Sequence, residues 1–143
     1  MSGMSIIPKT IARLLFPFVA LFGAYIVVHG HLSPGGGFPG GVVIASAFLM
    51  MAIAYGLSGL KRESALVRAE ALETAGGVAI VLLSLLGISL GLNFLQNVLP
   101  TGFLGELFSG GILPFLYLGV GLKVTAGILL VLLSMLFAFG GEE

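Results

Sequence analysis

The chain has 143 residues, of which 58% are hydrophobic and 8% charged, against roughly 45–50% and about 25% in an ordinary soluble domain. Six basic and six acidic residues cancel to a net charge of zero and form no basic stripe, which excludes a nucleic-acid-binding surface. With no cysteine, the chain can supply no disulfide, iron–sulfur cluster or thiolate metal site.

So few polar side chains cannot cover a water-facing surface, so the chain is expected to fold in lipid. Spanning about 30 Å of hydrocarbon at 1.5 Å per residue takes roughly 20 mostly apolar residues. Four stretches satisfy this, at about 10–28, 38–57, 72–92 and 113–139. The expected fold is all-α, a polytopic membrane protein of four transmembrane helices forming a single domain over residues 1–143.

The first span follows Lys9 and Arg13 and ends in "VVHGH", which lacks a small-residue cleavage site; it reads as a retained helix rather than a signal peptide. Pro17 interrupts its backbone bonding, which membranes tolerate where neighbouring helices satisfy the freed carbonyl. His29 and His31 close the span. Imidazole titrates near neutral pH, so His31 is a candidate proton relay, with a hydrogen bond to loop carbonyls as the plainer alternative. No carboxylate or cysteine lies near the pair in sequence, and no metal is expected there.

Next comes "HGHLSPGGGFPGGVV", residues 29–43. Gly35, Gly37 and Gly40 satisfy the G-x-G-x-x-G pattern of a dinucleotide-binding turn, but that turn needs a strand before it and an acid about 20 residues on. A membrane helix precedes these glycines, and no acid lies between His31 and Lys61. What glycine supplies instead is freedom of φ and close approach of another backbone. The run therefore makes either a tight turn or a docking or pathway-lining element. Phe38 is expected to wedge it against a neighbour, and Pro39 sits where the second helix should start.

Lys61, Arg62 and Arg68 lie between spans two and three, on the same predicted side as Lys9 and Arg13. The positive-inside rule makes that side cytoplasmic, with both termini inside and Glu142 and Glu143 at the C-terminal end. The stretch "KRESALVRAEALE" reads as an amphipathic lead-in to helix three, carrying Glu70 and Glu73 one turn apart. Glu73 is expected at the inner membrane boundary. There it would serve as an access-side carboxylate of a proton route, or as an interfacial charge favoured by the positive end of its helix. Gly87 and Gly91 form a small-xxx-small packing face. The loop at 93–112, whose one charge is Glu106, is expected outside, with Pro100 and Pro114 bracketing its second half.

Lys123 is the one fixed charge deep in a span. A charge near the bilayer centre costs on the order of 2.5–3.5 kcal/mol, so Lys123 is expected to face protein or water in the outer half, where it could exchange protons or repel cations. A lysine that snorkels outward to a loop carbonyl is the alternative. Gly119 and Gly127 share its face and admit another helix. Because Glu73 is placed in the opposite leaflet, the carboxylate partner is expected from another subunit and a direct Glu73–Lys123 ion pair is not. Ser46, Ser84, Ser89, Thr125 and Ser134 should bond helix carbonyls. Nothing pairs a nucleophile with a base.

The run Gly30-His31-x-x-Pro34-Gly35-Gly36-Gly37-Phe38-x-Gly40-Gly41 resembles the signature of the MnhB or MrpB family, the B-type subunit of multisubunit sodium/proton antiporters. The likeness continues through Glu73 and Gly76, "NFLQNVLPTG" and "GVGLKVTAG" around Lys123. Relatives of that subunit also occur in energy-converting membrane-bound hydrogenases and sulfur-reducing complexes of archaea. The resemblance implies a small subunit of a hetero-oligomeric assembly in the cell membrane that exchanges Na+ for H+. Such a chain is no enzyme by itself and holds no cofactor, though it could serve a redox-driven pump. Lys123, Glu73 and His31 are then the ion-pathway candidates; the alternative is a purely structural subunit that carries no ion.

Overall fold

The computed structural model describes residues 4–57, 61–103, 105 and 109–139; Glu106, Glu142 and Glu143, singled out above, lie outside them. It contains α1 (Ile6–Val28), α2 (Gly37–Tyr55), α3 (Arg62–Ser89) and α4 (Leu113–Phe139), with no strand among the described residues. All four are long and apolar enough to cross a membrane.

The helices make a bundle in which α2 lies between α1 and α4, and α3 packs against α4 alone among the described residues. Contacts fix the directions. The Met4 amide donates to Ala54 O at 3.0 Å, so the start of α1 meets the end of α2 and the two are antiparallel. Gly37 lies against Tyr117 and Gly121, and Gly41 against Gly121 and Val124, so α2 and α4 run parallel. Gly76 meets Lys123, and the later Ile80 meets the earlier Gly119, so α3 is antiparallel to α4.

The seams are built from small residues. Ala12, Ala45, Ala47, Ala54, Ala69 and Ala126 are buried, whereas Leu14, Phe18, Phe22, Val81 and Val131 point outward. In lipid no hydrophobic force drives apolar helices together, so association depends on close backbone packing, which large side chains would prevent. An open groove of about 610 Å³ remains over α4, walled by Val28 and Phe48 on one side and Ala65, Arg68 and Leu72 on the other.

The ends carry the remaining definition. Helix α3 begins ten residues before the expected span at 72, because the amphipathic lead-in is continuous with it. Gly91 is not on the helix but just past it, at φ +77°, a correction to its expected packing role. The Leu92 amide donates to Gly87 O and the Gly91 amide to Ile88 O, both at 2.9 Å, the paired bonds that end a helix on a left-handed glycine. Gly87 does pack, against the backbone of Asn93 in the returning loop. The hydroxyls behave as expected: Ser46, Ser84 and Ser134 donate to carbonyls four residues back, and Ser89 to one three back.

Candidate functional site: an ion pair between two helices

The glycine run is a docking element. A methyl on Gly37 would come 2.8 Å from Val120 Cβ, one on Gly40 2.8 Å from Gly23 O, and one on Gly41 2.8 Å from Gly121 O. The first turn of α2 is thereby clamped between α1 and α4 at backbone distance. Gly36, at φ +129°, turns the chain into that helix in a conformation side chains resist. Gly30 closes the loop against Gly36, and Pro34 and Gly35 lie at its exposed bend. Phe38, beside the clamp, is 64% exposed.

Clamping α2 on α4 sets the level of Thr125, whose hydroxyl donates to Gly121 O at 2.7 Å and lies 3.1 Å from Gly41 O. On the other face of α4, Gly76 and Gly119 let α3 approach. A methyl on Gly76 would stand 2.8 Å from the Lys123 amide nitrogen, and one on Gly119 3.1 Å from the Ile80 side chain. This backbone contact fixes the register of α3 on α4, and the register creates the site. Lys123 Nζ donates to Glu73 Oε1 at 3.2 Å, with the ammonium chain 46% and the carboxylate chain 32% exposed.

The pair overturns two expectations. Lys123 is neutralised within its own chain, and Glu73 is not at the boundary. Glu73 lies against Gly127, near the middle of α4. At 1.5 Å per residue α4 is about 40 Å long and Gly127 stands roughly 18–21 Å from each end. Wherever a 30 Å apolar slab is laid over that length, this level falls about 9 Å or more inside it. The sequence boundary at 72 followed the apolar run of α3, whereas depth is set by the neighbouring helices. Gly119 and Gly127 do share the face of Lys123, and the helix they admit is α3.

His31 is not brought to this pair. It is half-buried beside Gly110, in the loop that leads into α4. Lys123 lies ten residues beyond Leu113, about 15 Å further along the axis. His29 caps α1: its amide donates to Tyr25 O at 2.9 Å and its ring stacks on Tyr25 at 4.0 Å. Asn97, which sequence reasoning passed over, holds the loop before α4 by accepting from the Ile112 amide at 3.1 Å and the Leu99 amide at 3.2 Å. At the opposite end Lys9 and Arg13 lie 5.8 and 5.9 Å from the Tyr55 ring centre, so the basic residues of α1 join the end of the bundle where Arg62 opens α3.

The family described as a domain related to the MnhB subunit of Na+/H+ antiporters matches residues 7–130. This chain belongs to that family. The match contains the glycine clamp, Glu73 and Lys123. A putative antiporter subunit mnhB2 of Staphylococcus haemolyticus is 28% identical over 138 residues, covering 94% of this chain and 96% of that protein. An uncharacterized protein of Methanocaldococcus jannaschii is 38% identical over 125 residues, 80% of this chain and 47% of that protein, so the chain spans about half the length of that relative. Among solved structures, a chain of the membrane-bound sulfane sulfur reductase, an archaeal respiratory membrane complex, is 40% identical with a TM-score of 0.78. That likeness covers 92% of this chain and 58% of that one. This chain is thus a multi-pass membrane protein of the MnhB family, with the Glu73–Lys123 ion pair between α3 and α4.

Proposed function

We propose that this chain is a membrane subunit of a multisubunit cation/proton antiport module, in which Glu73 and Lys123 form part of the ion pathway. The observation that carries the reading is an ion pair held at mid-depth between two apolar helices, on a side the chain itself leaves partly open. A carboxylate and an ammonium in contact make a two-state element. Protonation of Glu73 releases Lys123, and a cation arriving at Glu73 displaces the ammonium in the same way. Each event adds one positive charge at the pair, and its release on the other side, with Lys123 returning to Glu73, completes the passage of that charge. Other membrane subunits complete the route, with Na+ and H+ as its cargo, and the basic end of the bundle with both termini faces the cytoplasm. In this reading the chain carries no cofactor, and any redox groups belong to neighbouring subunits of a respiratory complex.

The test replaces Glu73→Gln and Lys123→Ala in the purified whole complex, reconstituted in vesicles, with cation-driven proton movement followed by a pH-sensitive dye. Loss of exchange with the subunit retained supports the reading. Normal exchange in the intact variant complexes leaves the purely structural role. One observation favours that second reading: the pair lies beside the Gly76–Lys123 backbone contact, where it also ties α3 to α4.

A further inference from the structure

One face of α3 is out of place in a membrane. Glu63, Val67, Glu70, Thr74 and Val78 recur at three- and four-residue spacing and all are exposed, while Ala69, Gly76 and Ser84 lie on another face and are buried, Gly76 against α4. Ala71 and Ala75 flank the stripe, and between them it forms a shallow depression lined by Val67, Glu70, Ala71, Thr74, Ala75 and Val78. Glu70 has no hydrogen bond or ion pair among the described residues.

Its depth follows from the register already described. Glu70 is one turn from Glu73 toward the basic end, which places it about 5 Å or more inside any 30 Å slab laid over α4. An acid facing lipid costs on the order of 2.5–3.5 kcal/mol at the bilayer centre, and part of that penalty remains at the depth of Glu70. Ala71 and Ala75 in the lining of the depression are small residues an i,i+4 step apart, which let a second helix backbone come close. With Glu73 held by Lys123 and Arg68 turned to the groove beside α4, Glu70 is the charge that the depression itself presents outward.

We infer that this face of α3 docks a transmembrane helix of another subunit, one that brings a lysine or arginine to the level of Glu70. Alanine at 71 and 75 sets the closeness of the two backbones, and Thr74 adds a hydroxyl beside the incoming cation. The inference concerns assembly and stands whether or not the Glu73–Lys123 pair conducts ions.

The test uses the whole complex in its native membrane. A photoreactive p-benzoylphenylalanine is placed at Val67 or at Val78, the membrane is irradiated, and the cross-linked peptide is identified by mass spectrometry. The expected product joins α3 to an apolar helix of a different subunit with a lysine or arginine within one turn of the cross-link. Products confined to phospholipid, a cross-link to a second copy of this chain, or a partner helix lacking a basic residue would each overturn the inference. In parallel, Glu70→Gln should weaken retention of this subunit under detergent challenge by roughly 30-fold or more, the expected loss for removing one member of a buried charge pair. Ala71→Leu should do the same sterically, with helix content by circular dichroism unchanged. Full retention in both variants, each properly helical, would also sink it.

Discussion

The Glu73–Lys123 pair lends itself to a double-mutant cycle, because its two charges sit at a level where neither is tolerated alone. In Lys123→Met the carboxylate of Glu73 stays behind, about 9 Å or more from either edge of the apolar slab, with no cation of its own chain in contact. The insertion cost of such a charge is on the order of 2.5–3.5 kcal/mol, which corresponds to a loss of about 70- to 400-fold in the folded population. Glu73→Gln strands the ammonium of Lys123 at the same level and should cost a similar amount, reduced where the long lysine chain can turn outward. Removing both charges together abolishes the desolvation that each had required, so Glu73→Gln with Lys123→Met should recover most of the loss. The cycle is measured by unfolding the chain from mixed micelles with increasing denaturing detergent, following helix content by circular dichroism. A coupling free energy above about 1.5 kcal/mol is expected, larger than the 0.2–1 kcal/mol of a solvated surface pair. A double variant no more stable than either single one, or a coupling inside the range of a surface pair, would refute the placement of this pair in the apolar layer.

Gly76→Val puts branched carbons where a single methyl already meets the Lys123 amide at 2.8 Å, so α3 must move off α4; overpacking of this kind costs about 1–3 kcal/mol in the same unfolding assay. Gly91→Ala has open space around it but holds φ +77°, and the expected loss is about 1 kcal/mol, from backbone conformation alone. Thr125→Val removes the hydroxyl that lies against Gly41 O while keeping its shape, and should cost about 0.6 kcal/mol, the usual value of one interhelical hydrogen bond in a membrane. Cation exchange of the whole complex, measured against pH, should be unchanged in His31→Gln, because His31 stands at the loop end of α4 and apart from the pair; a displaced profile would return it to the pathway.

How much of this was legible in the sequence depends on which physical quantity each residue reports. Hydropathy is a local average, so it found four spans, the end of α1 at Val28 and both ends of α4 at Leu113 and Phe139. The side-chain hydroxyls were legible for the same reason: each bonds a carbonyl three or four residues back in its own helix, a distance fixed by helical geometry. Register between helices is a different quantity. It is decided by Gly37, Gly40 and Gly41 on one side of α4 and by Gly76 and Gly119 on the other, and no window sees which backbone a glycine will meet. The family signature drew attention to the glycines without saying that they clamp α2 between α1 and α4. For Glu73 this mattered most, since a boundary drawn at the last charge before an apolar run placed it at the membrane surface.

The consequence is a physical conflict that the isolated chain does not resolve. Helices α1, α2 and α4 agree on where the apolar layer lies, and the contacts of α3 carry Arg68, Glu70 and Glu73 into that layer. Sliding α3 by three turns would return those charges to the boundary, but it would pull Gly76 off Lys123 and Gly119 off Ile80, leaving larger side chains in a seam that tolerates only backbone contact. The bundle therefore keeps its seam and accepts the charges. Lys123 answers Glu73 from within the chain, Arg68 borders the groove beneath α1, and Glu70 faces outward. A membrane helix can hold such a position only where its outward face meets protein or water instead of acyl chains. The polar half of α3 is accordingly the part of this fold whose stability depends most on its neighbours in the assembly.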